Sequence, residues 1–228
     1  MPKGLVLFDL DGTLIDTAPD LCAAANFLRK EAGLNPLDYA FLRPFSGTGA
    51  KGLIRATLGV LPEDARYPAL KEAFLAHYAS HMTDQARPFP GVLSMLSELN
   101  HRSYCWGIVT NKAMRLAAPL VEKLLAATSS PVCFVAGDTT KKMKPDPEPL
   151  LAAVRQANLP ISRTLYVGDE ERDIKAAKAA GIAAIAVLWG YGTHAETWHA
   201  DALAASAEDI PDIAARLLSE ERQDPQLP

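Results

Sequence analysis

Two aspartates follow a short apolar run near the start of the chain, in the sequence Asp9-Leu10-Asp11-Gly12-Thr13-Leu14. The apolar residues 5–8 predict a buried strand of a parallel sheet, and ligands of such sheets bind beyond the carboxyl ends of the strands. Asp9 and Asp11 are two residues apart, so their side chains leave the same side of the chain, and Gly12 permits a sharp turn after them. The spacing therefore predicts a pair of carboxylates at a ligand-binding edge.

A second group of acids follows another apolar run, in the sequence Gly168-Asp169-Glu170-Glu171-Arg172-Asp173. The dipole of a helix favours one or two acids in its first turn. Four acids after a glycine, at a strand end expected next to that of Asp9, predict a bound cation. Carboxylate oxygens suit Mg²⁺, which takes only a few protein ligands together with waters and a phosphate.

Two further segments offer groups that suit an anion. A strand predicted over 104–110 ends in Thr110-Asn111-Lys112, which supplies a hydroxyl, an amide and a helix start, although Thr110 could equally be a helix cap. Lys144 precedes a helix that begins with proline, and a solvated basic loop is the alternative there. Carboxylates, a hydroxyl and a lysine together fit phosphoryl transfer, in which alignment and charge stabilisation are the main demands.

The elements that position these residues alternate between strand and helix. The periodicity predicts strands over 104–110, 132–136, 164–168 and 183–188, and helices over 92–101, 112–126, 147–157, 170–180 and 209–219. Short buried strands that alternate with helices require a parallel sheet covered on both faces. The predicted fold class is therefore α/β, with a Rossmann-like, three-layer core.

The segment between the first strand and about residue 87 has a different pattern. Apolar residues recur at helical spacing from Leu21 to Leu28, Gly33 ends that pattern, and no strand signal follows. The pattern predicts an all-helical domain over residues 16–87, inserted into an α/β core that comprises residues 1–15 and 88–228. The prolines of Arg87-Pro88-Phe89-Pro90-Gly91 mark the linker that returns to the core.

The overall composition limits the classes of function. The 228 residues carry a net charge of -4 and no basic cluster longer than Lys141-Lys142 with Lys144, so nucleic acid is not an expected partner. No apolar run approaches the roughly 20 residues that span a bilayer. The three cysteines are odd in number and set in apolar surroundings, which predicts reduced thiols. We expect a cytoplasmic monomer or homodimer without a membrane partner, and a frayed polar tail over residues 220–228.

The order and spacing of four motifs resemble the haloacid dehalogenase superfamily of phosphohydrolases. The matching residues are Asp9-Leu10-Asp11-Gly12-Thr13, Thr110-Asn111, Lys144, and Gly168-Asp169 with Asp173. The resemblance runs from residue 5 to about residue 205, and the helical insert is similar to the small helical cap of that family. An acid at position 11 distinguishes phosphatases and mutases of the superfamily from its dehalogenases.

The resemblance implies a role for each matching residue. Asp9 would be the nucleophile that forms an aspartyl-phosphate, and Asp11 would be the general acid and base. The carboxylates of Asp9 and Asp169 and the backbone carbonyl of Asp11 would hold Mg²⁺, with Asp173 acting through a ligand water. Thr110 and Asn111 would bind the phosphoryl oxygens, and Lys144 would neutralise negative charge among the oxygens and carboxylates. Glu170 stands where many relatives carry Ser or Asp, so its role is left open.

Substrate choice is expected to depend on the segment from Arg43 to Lys51. Gly47 and Gly49 permit a backbone loop close to a small ligand, and the guanidinium of Arg43 can bind a carboxylate through two N–H groups. A plain turn between helices, with Arg43 in a surface ion pair, is equally consistent with the sequence. Similar segments occur in phosphoglycolate phosphatases and in N-acetylmuramic acid 6-phosphate phosphatases, and both substrates carry a carboxylate. Trp189-Gly190-Tyr191 adds similarity to the second group, or reflects core packing.

These observations predict a Mg²⁺-dependent phosphomonoester hydrolase of the phosphoglycolate phosphatase type, acting on a small phosphate ester that bears a carboxylate. Three alternatives remain open at this point. They are an N-acetylmuramic acid 6-phosphate phosphatase of peptidoglycan recycling, a sugar phosphomutase, and a catalytically inactive phosphate-binding protein.

Overall fold

The computed structural model describes residues 2–219, and the tail predicted to fray lies outside that range. The chain forms two compact units. One contains the residues up to Leu14 and from Pro88 onward, and the other is the segment Ile15–Arg87. No helix in the described part of the chain has the length and apolar character needed to cross a bilayer.

Six strands of the first unit form one parallel sheet with β1 near its centre. The described residues contain the strands β1 (Gly4–Phe8), β2 (Ile15–Asp16), β3 (Arg87–Pro88), β4 (Tyr104–Val109), β5 (Phe134–Val135), β6 (Thr164–Gly168), β7 (Ala183–Val187) and β8 (Ala202–Ala204). The sheet order is β5-β4-β1-β6-β7-β8, and every pair is parallel. All five residues of β1 are buried, as expected for a strand covered on both faces.

Helices flank this sheet and complete the α/β core. Residues 2–219 contain nine α-helices: α1 (Ala18–Glu31), α2 (Tyr39–Leu42), α3 (Gly49–Leu58), α4 (Tyr67–His81), α5 (Val92–His101), α6 (Met114–Leu124), α7 (Glu148–Ala157), α8 (Glu171–Ala179) and α9 (Ile210–Ser219). Of these, α5 and α7 contact β4, and α8 contacts β6 and β7. The predicted Rossmann-like α/β fold is thereby confirmed.

One strand of the sheet was not predicted from the sequence. The strand β8 has three residues, all alanine or leucine, and pairs with β7 at the edge of the sheet. It lacks the β-branched and aromatic residues that mark strands in a sequence. Its pairing partner, rather than its own propensity, therefore determines its conformation.

The register of the sheet brings the chemically interesting strand ends together. Phe8 lies opposite Ile108 of β4 on one side and opposite Val167 of β6 on the other. The backbone N–H of Asp9 continues the pairing and donates to the carbonyl oxygen of Val167 at 2.9 Å. The residues that follow β1, β4 and β6 consequently meet at the carboxyl edge of the sheet.

The unit Ile15–Arg87 is helical apart from the two-residue strands at its ends. Within it, α1 packs against α3 and α4. The carboxylate of Asp20, which is buried, accepts hydrogen bonds from the backbone N–H groups of Gln85 and Ala86. Asp20 of α1 thus fixes the segment that follows α4. These hydrogen bonds also satisfy the carboxylate, whose burial without a partner would cost free energy.

Candidate active site

Asp9 directly follows β1 and is only 8% exposed. Its Oδ1 lies 3.0 Å from Nζ of Lys144 and accepts the backbone N–H of Leu10 at 2.7 Å. Burial raises the pKa of Asp9 to about 7, against the lowering effect of Lys144, and the negative charges of Asp173 and Asp11 add to the rise. Additional positive charge would therefore be needed to keep this carboxylate fully ionised near neutral pH.

Lys144 is the cation at the centre of the site, and its side chain is fully buried. Nζ lies 2.8 Å from Oδ1 of Asp173 as well as 3.0 Å from Asp9. Burial alone would lower the pKa of Lys144, but the charges of Asp173 and Asp9 outweigh that effect and raise it. Lys144 is therefore an ammonium at neutral pH, and it faces two carboxylates.

Asn111 holds the backbone of this lysine. Its Nδ2 donates to the carbonyl oxygen of Lys144 at 2.9 Å, and its Oδ1 accepts the N–H of Lys144 at 3.0 Å. Both functional ends of the amide are thus engaged with one residue. The side chain of Asn111 thereby fixes the loop that delivers Lys144.

Asp169 follows β6 and has each carboxylate oxygen bound by a donor. The hydroxyl of Thr13 donates to Oδ1 at 2.8 Å, and the backbone N–H of Tyr191 donates to Oδ2 at 2.9 Å. Burial and the charges of Asp9 and Asp173 raise the pKa of Asp169 well above its usual value, with Tyr191 acting in the opposite direction. Gly12 is required beside it, because a Cβ there would lie 2.1 Å from Oδ2 and the backbone φ is +84°.

Asp9, Asp169 and Asp173 form a buried acidic triad, in which one carboxylate oxygen from each residue lies within 4.8 Å of the others. Among residues 2–219, Lys144 is the only cationic side chain that forms an ion pair with any of the three. The cluster consequently carries an excess of negative charge in a buried position, and hard oxygen donors of this kind fit a divalent cation such as Mg²⁺.

The four acids after Gly168 have different partners, and only Asp169 and Asp173 join the triad. The carboxylate of Glu170 caps α8 by accepting the backbone N–H of Asp173, and it also forms an ion pair with Arg172. Glu171 pairs on the surface with Lys175 at 3.0 Å. The inference that all four acids need a cation was therefore too broad, because a helix cap and surface pairs account for two of them.

Asp11 lies outside the triad, because its side chain turns towards Lys112. Oδ1 of Asp11 accepts from Nζ of Lys112 at 2.7 Å, and the lysine side chain is 8% exposed. The backbone N–H of Lys112 in turn donates to the hydroxyl of Thr110 at 3.1 Å. Thr110, Asp11 and Lys112 thus form one connected group at the ends of β1 and β4.

Three of the predicted site residues, Arg43, Gly47 and Gly49, lie in the unit Ile15–Arg87. Arg43 begins a 3-10 turn that ends at Thr48, and Gly49 follows with a φ of +60°. The side chain of Arg43 forms a hydrogen bond with Tyr39. Burial raises the pKa of the Tyr39 hydroxyl, and the contact with Arg43 offsets only part of that rise. The turn and glycine expected from the sequence are therefore present in that unit.

Several residues that shape the site were given no role of their own by sequence reasoning, and they include Thr13, Lys112 and Tyr166. The loop that follows β7 was named in the sequence but left open as core packing. In the structure the Nε1–H of Trp189 in this loop donates to the carbonyl oxygen of Thr13 at 3.1 Å. Thr13 is the last residue of the first motif and Lys112 directly follows the second, which is a usable signal. Tyr166 lies inside an apolar strand and resembles an ordinary core residue until its contacts are known.

Comparison with known proteins identifies relatives over most of the chain. The family model of haloacid dehalogenase-like hydrolases matches residues 6–187. An N-acetylmuramic acid 6-phosphate phosphatase of Pseudomonas aeruginosa is 37% identical over 217 residues, covering 93% of this chain and 95% of that protein. A phosphoglycolate phosphatase of Xanthomonas campestris is 39% identical over 213 residues, covering 92% of this chain and 96% of that protein.

Solved structures show the same fold. The crystal structure of a predicted phosphoglycolate phosphatase from Haemophilus somnus has a TM-score of 0.81 and 25% sequence identity, with 93% of this chain and 99% of that one covered. The family match and the phosphatase relatives confirm the prediction of a phosphatase of the haloacid dehalogenase type. The chain belongs to the haloacid dehalogenase-like hydrolases.

Proposed function

We propose that this protein is a Mg²⁺-dependent phosphomonoesterase that acts through a phosphorylated Asp9. The observation that carries the proposal is the buried acidic triad around Lys144, at the carboxyl edge of the sheet. Phosphoryl transfer needs alignment of the reacting oxygens and stabilisation of negative charge, and these residues supply both. The names of the two relatives above, both phosphatases, support the same reaction class.

Asp9 and Asp169 would hold the metal ion, with the backbone carbonyl of Asp11 as a further ligand and Asp173 near it. The excess negative charge of the triad and its oxygen donors are what such an ion requires. A bound Mg²⁺ would neutralise charge on the phosphoryl oxygens and keep the Asp9 carboxylate ionised. This requirement agrees with the raised pKa of Asp9, about 7, in a triad whose only cationic ion-pair partner among residues 2–219 is Lys144.

The reaction would proceed in two displacements at phosphorus. In the first, an oxygen of Asp9 bonds to phosphorus while the ester P–O bond breaks, and Asp11 gives its proton to the departing alkoxide. In the second, a water attacks phosphorus, its proton returns to Asp11, and the bond to Asp9 breaks to release inorganic phosphate.

Thr110, Asn111 and Lys144 would bind the phosphoryl group. The hydroxyl of Thr110 and the ammonium of Lys144 supply donors from two different segments of the chain. Because the amide of Asn111 is engaged with Lys144 at both ends, Asn111 would contribute its backbone N–H rather than its side chain. A backbone donor at the start of the segment that leads into α6 suits an anion.

Replacing Asp9 tests the nucleophile directly. The variant Asp9→Asn keeps the size of the side chain but removes the nucleophilic oxygen, so phosphate release should fall by about a thousandfold or more. Asp212→Asn is the matched control, because Asp212 is an exposed acid of α9 that pairs with Arg102. Near-wild-type turnover by Asp9→Asn, measured as released phosphate, would rule out the assignment.

The substrate is proposed to be a small phosphate ester with a carboxylate, with phosphoglycolate first and N-acetylmuramic acid 6-phosphate as the second candidate. The relatives carry both names, at 39% and 37% identity. A phosphate-release screen of these two esters and of hexose phosphates, with and without Mg²⁺, compares them by kcat/KM. Formation of an isomerised sugar phosphate instead of free phosphate would favour a mutase, and no turnover with any ester would favour an inactive binding protein.

A further inference from the structure

Tyr166 brings a buried hydroxyl into the centre of the site. It lies in β6 and is fully buried, with its hydroxyl 2.6 Å from Nζ of Lys144. The same hydroxyl donates to the carbonyl oxygen of Val109 at 2.8 Å, and it lies 3.4 Å from Oδ1 of Asp173.

The number of hydrogens around Lys144 does not match the number of acceptors. Its ammonium has three N–H groups, whereas four oxygens lie within 3.0 Å of Nζ: those of Asp9, Asp173, Tyr166 and the Val109 carbonyl. A tyrosine hydroxyl can accept one hydrogen bond while donating another. When Tyr166 donates to Val109 and accepts from Lys144, the carbonyl is satisfied and two N–H groups remain for Asp9 and Asp173.

We infer that Tyr166 is a positioning residue, whose hydroxyl accepts the shortest hydrogen bond of the Lys144 ammonium and shares the Val109 carbonyl with it. Without the hydroxyl, the N–H group that it accepts turns to the Val109 carbonyl, which already lies 3.0 Å from Nζ, and the ammonium shifts towards the end of β4. This shift lengthens the contacts of Nζ with Asp9 and with a phosphoryl group bound beside it.

The ring of Tyr166 also contacts the lysine, so the hydroxyl has to be tested separately. Nζ of Lys144 lies 5.2 Å from the ring centroid, a distance at which a cation–π attraction acts. The variant Tyr166→Phe keeps the ring and its packing and removes only the hydroxyl. Tyr104→Phe is the matched control, because Tyr104 is a mostly buried tyrosine at the opposite, amino end of β4.

The inference rests on the proposed function, and its test combines turnover with ligand binding. For Tyr166→Phe, kcat for phosphate release should fall about tenfold while KM changes less than about twofold, since the hydroxyl acts through Lys144 on the phosphoryl group. Binding of orthovanadate in the presence of Mg²⁺, measured by calorimetry, should weaken by a similar factor. Tyr104→Phe should match the wild type in both measurements.

A kcat of Tyr166→Phe within about twofold of wild type would overturn the inference, as would an equal loss in Tyr104→Phe. If the wild-type protein releases no phosphate from any ester, the proposed function fails by itself. The crystal structure of Tyr166→Phe then decides the positioning role. Movement of the Lys144 ammonium from Asp9 towards Val109 would support it, and an unchanged ammonium would overturn it.

Discussion

At the residue scale, the site depends on an imbalance of buried charge. Within the part of the chain that the structure describes, Lys144 is the only cationic side chain paired with the triad of Asp9, Asp169 and Asp173. Burial raises the pKa values of Asp9 and Asp169. In both cases the first cause is removal of the carboxylate from water, and the neighbouring acids add to it. A site that destabilises its own ionised acids in this way gains stability from any cation that binds there.

The raised pKa of Asp9 predicts how stability changes with pH. Its carboxyl loses its proton near pH 3.8 in the unfolded chain and near pH 7 in the folded one, so the folded state binds more protons between these values. The contribution of Asp9 to the stability of the metal-free protein therefore decreases as the pH rises from about 4 to about 7. The melting temperature of Asp9→Asn relative to wild type should consequently be higher at about pH 8 than at about pH 5.

Thermal unfolding of both proteins in a chelating buffer measures this difference. Added Mg²⁺ should raise the melting temperature of the wild type and have less effect on Asp9→Asn, because a metal ligand is missing. A difference in melting temperature that is constant with pH, or that decreases towards pH 8, would contradict the assignment of the raised pKa to Asp9.

At the scale of elements, the donors that hold the triad come from several separate segments of the chain, most of them after strand ends. The loop after β7 is an example, because the backbone N–H of Tyr191 binds Asp169 and the indole of Trp189 binds the carbonyl of Thr13. Gly190 lies between them, where a Cβ would be 2.1 Å from Cβ of Asp169. Close approach of this loop, which the sequence alone left as possible core packing, explains the small residue at its centre.

Substituting Gly190 should therefore weaken the metal site. In Gly190→Ala the added methyl group displaces Asp169, and the affinity for Mg²⁺ measured by calorimetry is expected to fall about tenfold or more. Thr13→Val is a milder second variant, because it removes only the hydroxyl that donates to Asp169.

Gly181→Ala provides the control for a general effect of glycine replacement. Gly181 has a φ of +70°, so alanine is strained there, but its added Cβ would have a nearest neighbour only at 4.0 Å, on Ile161. This variant should lose thermal stability and keep its Mg²⁺ affinity. Equal Mg²⁺ affinities for Gly190→Ala, Thr13→Val and wild type would contradict the proposed role of Asp169.

At the scale of the whole molecule, the predicted site residues fall in two compact units. The unit up to Leu14 and from Pro88 onward contains the triad, Lys144 and the groups proposed to bind the phosphoryl. The unit Ile15–Arg87 contains Arg43 and the turn that follows it. We propose that the second unit is a cap that recognises the organic part of the ester.

Substitution of Arg43 tests whether the unit Ile15–Arg87 recognises the organic part of the ester. If its guanidinium binds a substrate carboxylate, Arg43→Ala should raise KM for phosphoglycolate or N-acetylmuramic acid 6-phosphate about tenfold or more. KM for p-nitrophenyl phosphate, which has no carboxylate, should change much less. Arg55→Ala is the control, since Arg55 is an exposed arginine of α3 in the same unit. An equal change in KM for all three esters would contradict a carboxylate-specific role.

Much of the core was predictable because its signals are local. The buried run of β1, the alternation of strands and helices and the acids at strand ends can each be recognised within a few residues. The sequence by itself determined the α/β class, the four motifs and the family that they imply. The three-residue strand β8 was not predictable, because its conformation depends on pairing with β7.

The tertiary structure alone decided which partner each functional group uses. The side chain of Asn111 holds the backbone of Lys144, Glu170 caps α8, and the Asp11 side chain turns to Lys112. Tyr166 becomes part of the site through contacts with residues 22 and 57 positions earlier in the chain. Such contacts depend on the sheet register, which brings distant strand ends together. Residue types and spacing specify the donors and acceptors that are present, whereas only the folded sheet determines how they pair.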